Sequence, residues 1–182
     1  MVKTETPQAE IDWLAEDFNL KGTDGKYYDL AKTRGPNGLV VVFMCNHCPY
    51  VQTILNKIIR DAADLKVYGI YTVGIMPNDT TSYPEDSFEN MAKLHKKAQL
   101  PFPYLIDEEQ SVAKKYKAVC TPDFYGFDAN LELQYRGRLD SSGNSSNLDA
   151  KRELYEAMMA VAQSGKAPKT QYPSIGCSIK WR

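Results

Sequence analysis

No stretch of this sequence approaches the roughly 18 consecutive apolar residues that a membrane-spanning helix needs, and Met1 to Glu10 contain no apolar leader-like core. A soluble, cytoplasmic protein with no membrane partner is the expectation. Charge of one sign is also lacking. With 22 Lys+Arg against 23 Asp+Glu the net charge is −1, which gives no field able to gather a polyphosphate backbone, so nucleic acid is excluded as a partner class. Repeats and low-complexity tracts are absent. Histidine occurs twice and cysteine four times, with one C-x-x-C and no second such pair or H-x-x-x-H to complete a zinc site. A metal would need Cys120, Cys177 or His95 as single distant ligands, and no metal or other cofactor is expected.

What is present describes one globular domain. The chain has 182 residues, 43% hydrophobic and 25% charged, against about 150 residues for a typical domain. Residues 1–17 read as an N-terminal arm, 18–165 as the domain and 166–182 as a C-terminal tail. Phe18 to Leu30 has hairpin character around the turn formers Gly22-Thr23-Asp24-Gly25. Leu39 to Met44 is a continuous apolar run, as in a strand buried on both faces. After it Val51, Ile54, Leu55, Ile58, Ile59 and Ala62 follow helical spacing, with Pro49 suited to the first turn.

Gly69 to Met76 reads as a second buried strand, followed by a helix opened by Pro84, with Glu85 and Asp86 early and Lys93, Lys96 and Lys97 late to complement its dipole. Pro103 to Ile106 is a short strand, and Asp107 with Gln110 resembles a capping box ahead of a helix over Val112 to Tyr116. Phe124 to Phe127 and Leu131 to Tyr135 should form an antiparallel hairpin, and a last helix should end at Gly165. The order predicts an α/β fold with a mixed central sheet and helices on both faces. The tail retains Ile175, Cys177, Ile179 and Trp181, a composition that disordered segments seldom carry.

Chemistry concentrates at Cys45-Asn46-His47-Cys48, where a buried strand hands over to a helix. Unpaired N–H groups in a first helical turn favour negative charge on a sulfur beside them. A thiol of pKa about 8.5 is a few per cent ionised at neutral pH, whereas one lowered to about 7 is half ionised, a gain near 2 kcal/mol. His47, when protonated, would lower the cysteine pKa further and make the pair more oxidising. As a staple the pair is poorly placed. Closing a four-residue ring contributes about 2 kcal/mol, less than half of what a long loop gives. Redox use is therefore preferred over a structural or zinc role.

The segments Cys45 to Val51, Tyr83 to Ser87, Tyr135 to Arg138 and Gly176 to Trp181 together resemble the redoxin-type, thioredoxin-like proteins of the alkyl hydroperoxide reductase/thiol-specific antioxidant (AhpC/TSA) family. The resemblance implies a thioredoxin-like fold with an N-terminal β-hairpin extension, and a cis-proline at Pro122 facing the cysteines. It implies thiol–disulfide oxidoreductase activity of antioxidant type. Cys45 would be the exposed attacking thiolate and Cys48 the more buried resolving thiol, with Thr121 and Pro122 shaping the groove for a substrate backbone.

Substrates would be protein or small-molecule disulfides, or peroxide, with electrons from a thiol donor. Met44 stands where thioredoxins place Trp, so the donor's identity is open. The peroxiredoxin signature P-x-x-x-[ST]-x-x-C counted back from Cys48 meets Cys45 and Val41, so its hydroxyl and proline are missing and peroxidase activity ranks second. Cys120 and Cys177 remain candidate extra redox thiols or buried packing residues, packing being preferred for Cys177 together with Ile175, Ile179 and Trp181.

Overall fold

A computed structural model describes residues 3–182; the first two residues of the N-terminal arm lie outside the described residues. The arm contributes β1 (Lys3–Glu5), and the hairpin is formed by β2 (Leu20–Gly22) and β3 (Tyr27–Tyr28). A short helix α1 (Leu30–Thr33) follows, capped by the Asp29 carboxylate accepting from the Lys32 amide. Then come β4 (Gly38–Phe43), α2 (Pro49–Val67) and β5 (Ile70–Met76). Next are α3 (Phe88–Ala98), β6 (Tyr104–Ile106), α4 (Ser111–Lys115) and β7 (Cys120–Thr121). The chain finishes with β8 (Asp123–Phe127), β9 (Leu133–Gly137), α5 (Glu153–Ser164) and β10 (Ile175–Ser178).

Seven strands form the central sheet in the order β3-β2-β6-β5-β4-β8-β9. The middle three, β6, β5 and β4, run parallel, and antiparallel strands flank them on both sides. All six residues of β4 are buried, which is why its sequence is an unbroken apolar run rather than an alternating one. Its side chains divide between two cores. Val40 and Val42 face α2, α3 and α5, while Leu39, Val41 and Phe43 face α1 and α4. The sheet is thus covered by helices on both faces. Among the described residues no helix is long and apolar enough to cross a membrane.

Two expected helix starts are rearranged. Pro84–Asp86 form a separate 3-10 turn, and α3 begins at Phe88 behind Ser87, whose hydroxyl accepts from the Asn90 amide. Asp107 does cap α4, accepting from the Val112 and Ala113 amides, but Gln110 takes no part in a box. Its backbone is left-handed at φ 57 and its side chain reaches the C-terminal tail instead. Gly165, at φ 77, ends α5 in the conformation that glycine adopts without steric cost.

The tail folds back over the domain. β10 lies between β1 and β7, antiparallel to both, so both ends of the chain meet beside the loop that carries Pro122. Cys177 and Ile179 are buried, but Trp181 keeps 44% exposure with Lys114 over its ring, so it does not pack into the core as expected. After β10, Asn78 and Gln110 fasten the chain. Asn78 Oδ1 accepts from the Lys180 amide at 2.9 Å, and Gln110 Nε2 donates to the Lys180 carbonyl at 2.8 Å.

Candidate active site

The C-x-x-C turn sits between the end of β4 and the start of α2. Cys48 is the N-cap of α2 with extended backbone, and Pro49 fills the first helical position, where the N–H it lacks would have no partner. The Thr121–Pro122 peptide bond is cis. Thr121 lies against both sulfurs: its Oγ1 is 3.4 Å from Cys45 Sγ, and its carbonyl oxygen is 3.1 Å from Cys48 Sγ.

Cys45, His47, Cys48, Thr121 and Pro122 therefore meet in one place. Cys177 joins them, its Sγ 3.1 Å from that of Cys48. Cys120 borders the site, but its thiol points to the Pro122 carbonyl at 3.6 Å, and burial together with the Asp123 charge pushes its acidity far down, so it reads as a packing residue.

The expected exposed thiolate at Cys45 is corrected by the structure. Cys45 is 1% and Cys48 0% exposed. The two sulfurs are driven apart in acidity, Cys48 toward ionisation and Cys45 away from it. A hydrogen bond from the Cys45 thiol draws the Cys48 pKa below the ordinary thiol range, against the opposing effect of burial, and the Cys177 and Thr121 side chains and the Val51 amide add to the lowering. The Val51 contribution is the helix N-terminus acting on the sulfur, although Cys48 makes no full side-chain cap hydrogen bond. Cys45 moves the opposite way, because its proton serves Cys48, because it is buried and because Asp86 places a negative charge nearby. Solvent begins one residue further on, since Asn46 and His47 are half-buried.

His47 is held from behind. Its Nδ1 lies 2.6 Å from Asp86 Oδ2, and its ring stacks on Tyr83 with centroids 5.5 Å apart. Asp86 is fully buried and accepts four hydrogen bonds, from the Asn46 and His47 amides, His47 Nδ1 and Asn78 Nδ2. A carboxylate that is only an acceptor requires Nδ1 to carry hydrogen, which leaves Nε2 as the ring position that takes or gives a proton. Through Asn78 the same carboxylate is linked to the tail.

Asp86, Tyr83 and Asn78 were not picked out by sequence reasoning. The Tyr83-Pro84-Glu85-Asp86 segment was the available signal, but Asp86 reads locally as an ordinary first-turn charge. His95, by contrast, is remote from the site, with its Nδ1 2.6 Å from Thr23 Oγ1.

Cys45, His47 and Asp86 place metal-ligating atoms within 4.8 Å of one another. As a metal site the set fits poorly, because both Asp86 oxygens and His47 Nδ1 are already committed to hydrogen bonds that a cation would have to displace. A cavity of about 980 Å³ lies between the N-terminal arm and the tail and is lined by Glu5, Ile11, Arg136 and Pro173 among others, with no cysteine. A smaller one of about 130 Å³ abuts Pro122, between Lys3, Arg138 and Ser174.

A mixed sheet with helices on both faces, and a strand–turn–helix junction facing a cis-proline, is the thioredoxin-like fold. The chain belongs to the AhpC/TSA family, which it matches over residues 11–136. An uncharacterized conserved protein from Geobacillus kaustophilus is 41% identical, covering 100% of this chain and 97% of that one with a TM-score of 0.94. A hypothetical protein from Sinorhizobium meliloti 1021 is 36% identical, covering 98% of each chain with a TM-score of 0.93. A secreted disulfide oxidoreductase from Mycobacterium tuberculosis, 19% identical over 80% of this chain and 95% of that one, shares the fold with a TM-score of 0.57. No match was found among curated proteins.

Proposed function

We propose that this protein is a cytoplasmic thiol–disulfide oxidoreductase that exchanges electrons through Cys45 and Cys48. The observation that carries the reading is the placement of Cys48 at the N-cap of α2 and of both sulfurs against Thr121, next to cis-Pro122, with the Cys48 pKa lowered and the Cys45 pKa raised by their contact.

Cys45, one residue from the half-buried Asn46 and His47, attacks a sulfur of a substrate disulfide and its proton passes to Cys48. A mixed disulfide forms on Cys45, and the substrate's other sulfur leaves as thiolate, taking a proton from His47 Nε2. Cys48 then gives its proton to His47 Nε2, left without one by the first departure, and attacks Cys45 Sγ. The second substrate sulfur departs, a Cys45–Cys48 disulfide forms, and two electrons have moved from the dithiol to the substrate. The second attack is intramolecular, so it proceeds at high effective concentration. A dithiol donor restores the starting state. Run backwards, the same steps oxidise a substrate dithiol.

The test is reduction of a model disulfide by a dithiol, with and without the protein. Wild type is expected to accelerate it, and Cys45→Ser and Cys48→Ser to lose the acceleration by about a thousandfold or more, as nucleophile deletions do. Full activity in either variant overturns the reading.

A second reading, thiol peroxidase, is favoured by one contact. The peroxiredoxin hydroxyl is missing from the sequence before Cys48, but Thr121 Oγ1 reaches Cys45 Sγ from β7. Peroxide consumption supported by the same dithiol separates the two.

A further inference from the structure

β10 occupies the edge of β7 immediately before cis-Pro122. It pairs Cys177 with Thr121 and Ser178 with Cys120, and Ser174 Oγ donates to the Pro122 carbonyl at 2.7 Å. The approach is close enough to require glycine at position 176, where a Cβ would fall 2.0 Å from Thr121 O. This register is what sets Cys177 Sγ 3.1 Å from Cys48 Sγ. Cys48 thus has a thiol on either side, Cys45 from its own turn and Cys177 from the tail. A disulfide spans about 2.05 Å between sulfurs, so the Cys48 and Cys177 sulfurs must close by about 1 Å, a side-chain adjustment.

We propose that Cys177 is a third redox thiol of this site, taking Cys48 over from the Cys45–Cys48 disulfide to form a Cys48–Cys177 disulfide that locks the C-terminal strand onto the head of α2. The inference rests on the Cys45/Cys48 reading above and goes beyond it. Cys177 loses its proton and attacks Cys48 Sγ. The Cys48–Cys177 bond forms, the Cys45–Cys48 bond breaks, and Cys45 leaves as thiolate and takes up the proton. No electron enters or leaves, so the step needs no oxidant beyond the disulfide that first oxidised Cys45 and Cys48.

In the reduced protein burial and then the neighbouring Cys48 sulfur push the Cys177 pKa up to about 12, while Lys180 acts against them. Once Cys48 is in a disulfide it can no longer ionise, which removes one of the obstacles to ionising Cys177. Cys45, regenerated beside Cys48, reverses the exchange. The lock is therefore opened from within whenever Cys45 is intact.

The experiment equilibrates the full-length protein in buffers of graded reduced glutathione and glutathione disulfide. Each sample is quenched in acid, alkylated, digested and mapped by mass. Cys45–Cys48 lies within one peptide and Cys48–Cys177 joins two, so the forms separate. The proposal expects both in wild type, with a ratio that stays constant as the redox buffer changes, because their exchange is electron-neutral. Cys45→Ser should show Cys48–Cys177 as its internal disulfide, and Cys120→Ala should match wild type.

Cys45–Cys48 in wild type with no Cys48–Cys177 in either wild type or Cys45→Ser overturns this inference alone. So does a ratio that drifts with the buffer, or a cross-link to Cys120 in its place. The absence of every internal disulfide overturns both this inference and the proposed function.

Discussion

Two acid–base pairs brace α2, one at its midpoint and one at its head, and they are finished differently. At the midpoint Lys57 and Asp140 are 2% and 1% exposed in their side chains. The Lys57 ammonium has three hydrogens and three partners: Asp140 Oδ2 at 2.5 Å, Ser145 O at 2.6 Å and Ser142 Oγ at 2.9 Å. Nothing is left over to react. At the head Asp86 is equally buried and equally saturated, yet its partner His47 keeps 18% side-chain exposure and one ring nitrogen uncommitted by that contact. A closed pair fixes the loop over residues 140–145 to the helix. A half-open pair fixes a partly exposed imidazole within 4.8 Å of the Cys45 sulfur.

The sharpest way to break this contrast is to remove one partner from each pair. Lys57→Ala leaves the Asp140 carboxylate buried without its cation. Denaturant unfolding should show a loss of about 3–5 kcal/mol, while the folded fraction keeps its specific activity. Asp86→Asn is expected to behave in the opposite sense. Its shape is retained and the stability cost should stay near 1–3 kcal/mol. Disulfide reduction should slow by roughly 100-fold, the lower end of what acid–base groups contribute, because the Nδ1–H tautomer of His47 is no longer enforced. If Asp86→Asn instead unfolds the protein with folded-state activity intact, Asp86 is a brace like Asp140, and the distinction between the two pairs fails.

The same contrast explains how much of the molecule was readable in advance. The β4–α2 junction was legible because its determinants are local, with an apolar run, Pro49 and a helical period each acting within a few residues. The β8–β9 hairpin and the Gly165 stop were legible for that reason too. Asp86 was not. Its role arises only when the Cys45–Cys48 turn folds against the 3-10 turn and exposes amide hydrogens to it, a tertiary event that first-turn charge statistics do not carry. Gln110 misled in the same way, since its capping position was overridden by contacts to Pro77 and the distant Lys180.

The tail lies between these cases. Its apolar residues announced packing, but the register that sets Cys177 against Thr121 depends on pairing across a long sequence separation. The exposed-thiolate expectation for Cys45 failed because the hydrogen bond between the sulfurs runs toward Cys48, the residue on the helix end, and because burial closes over both.

Everything turns on that difference in acidity. The Cys48 pKa is depressed in the folded protein, so between its midpoint and about 8.5 the unfolded chain binds a proton that the folded chain does not. Stability of the reduced protein therefore rises with pH across this window, and the Cys48 contribution is lost as pH falls through the folded midpoint. The direct measurement is the ultraviolet thiolate absorbance of the reduced protein as a function of pH, in wild type and Cys48→Ser. The account predicts one thiolate titrating well below about 8.5 in wild type and missing from the variant. A wild-type titration at or above that value, or an unchanged low-pH titration in Cys48→Ser, would contradict it.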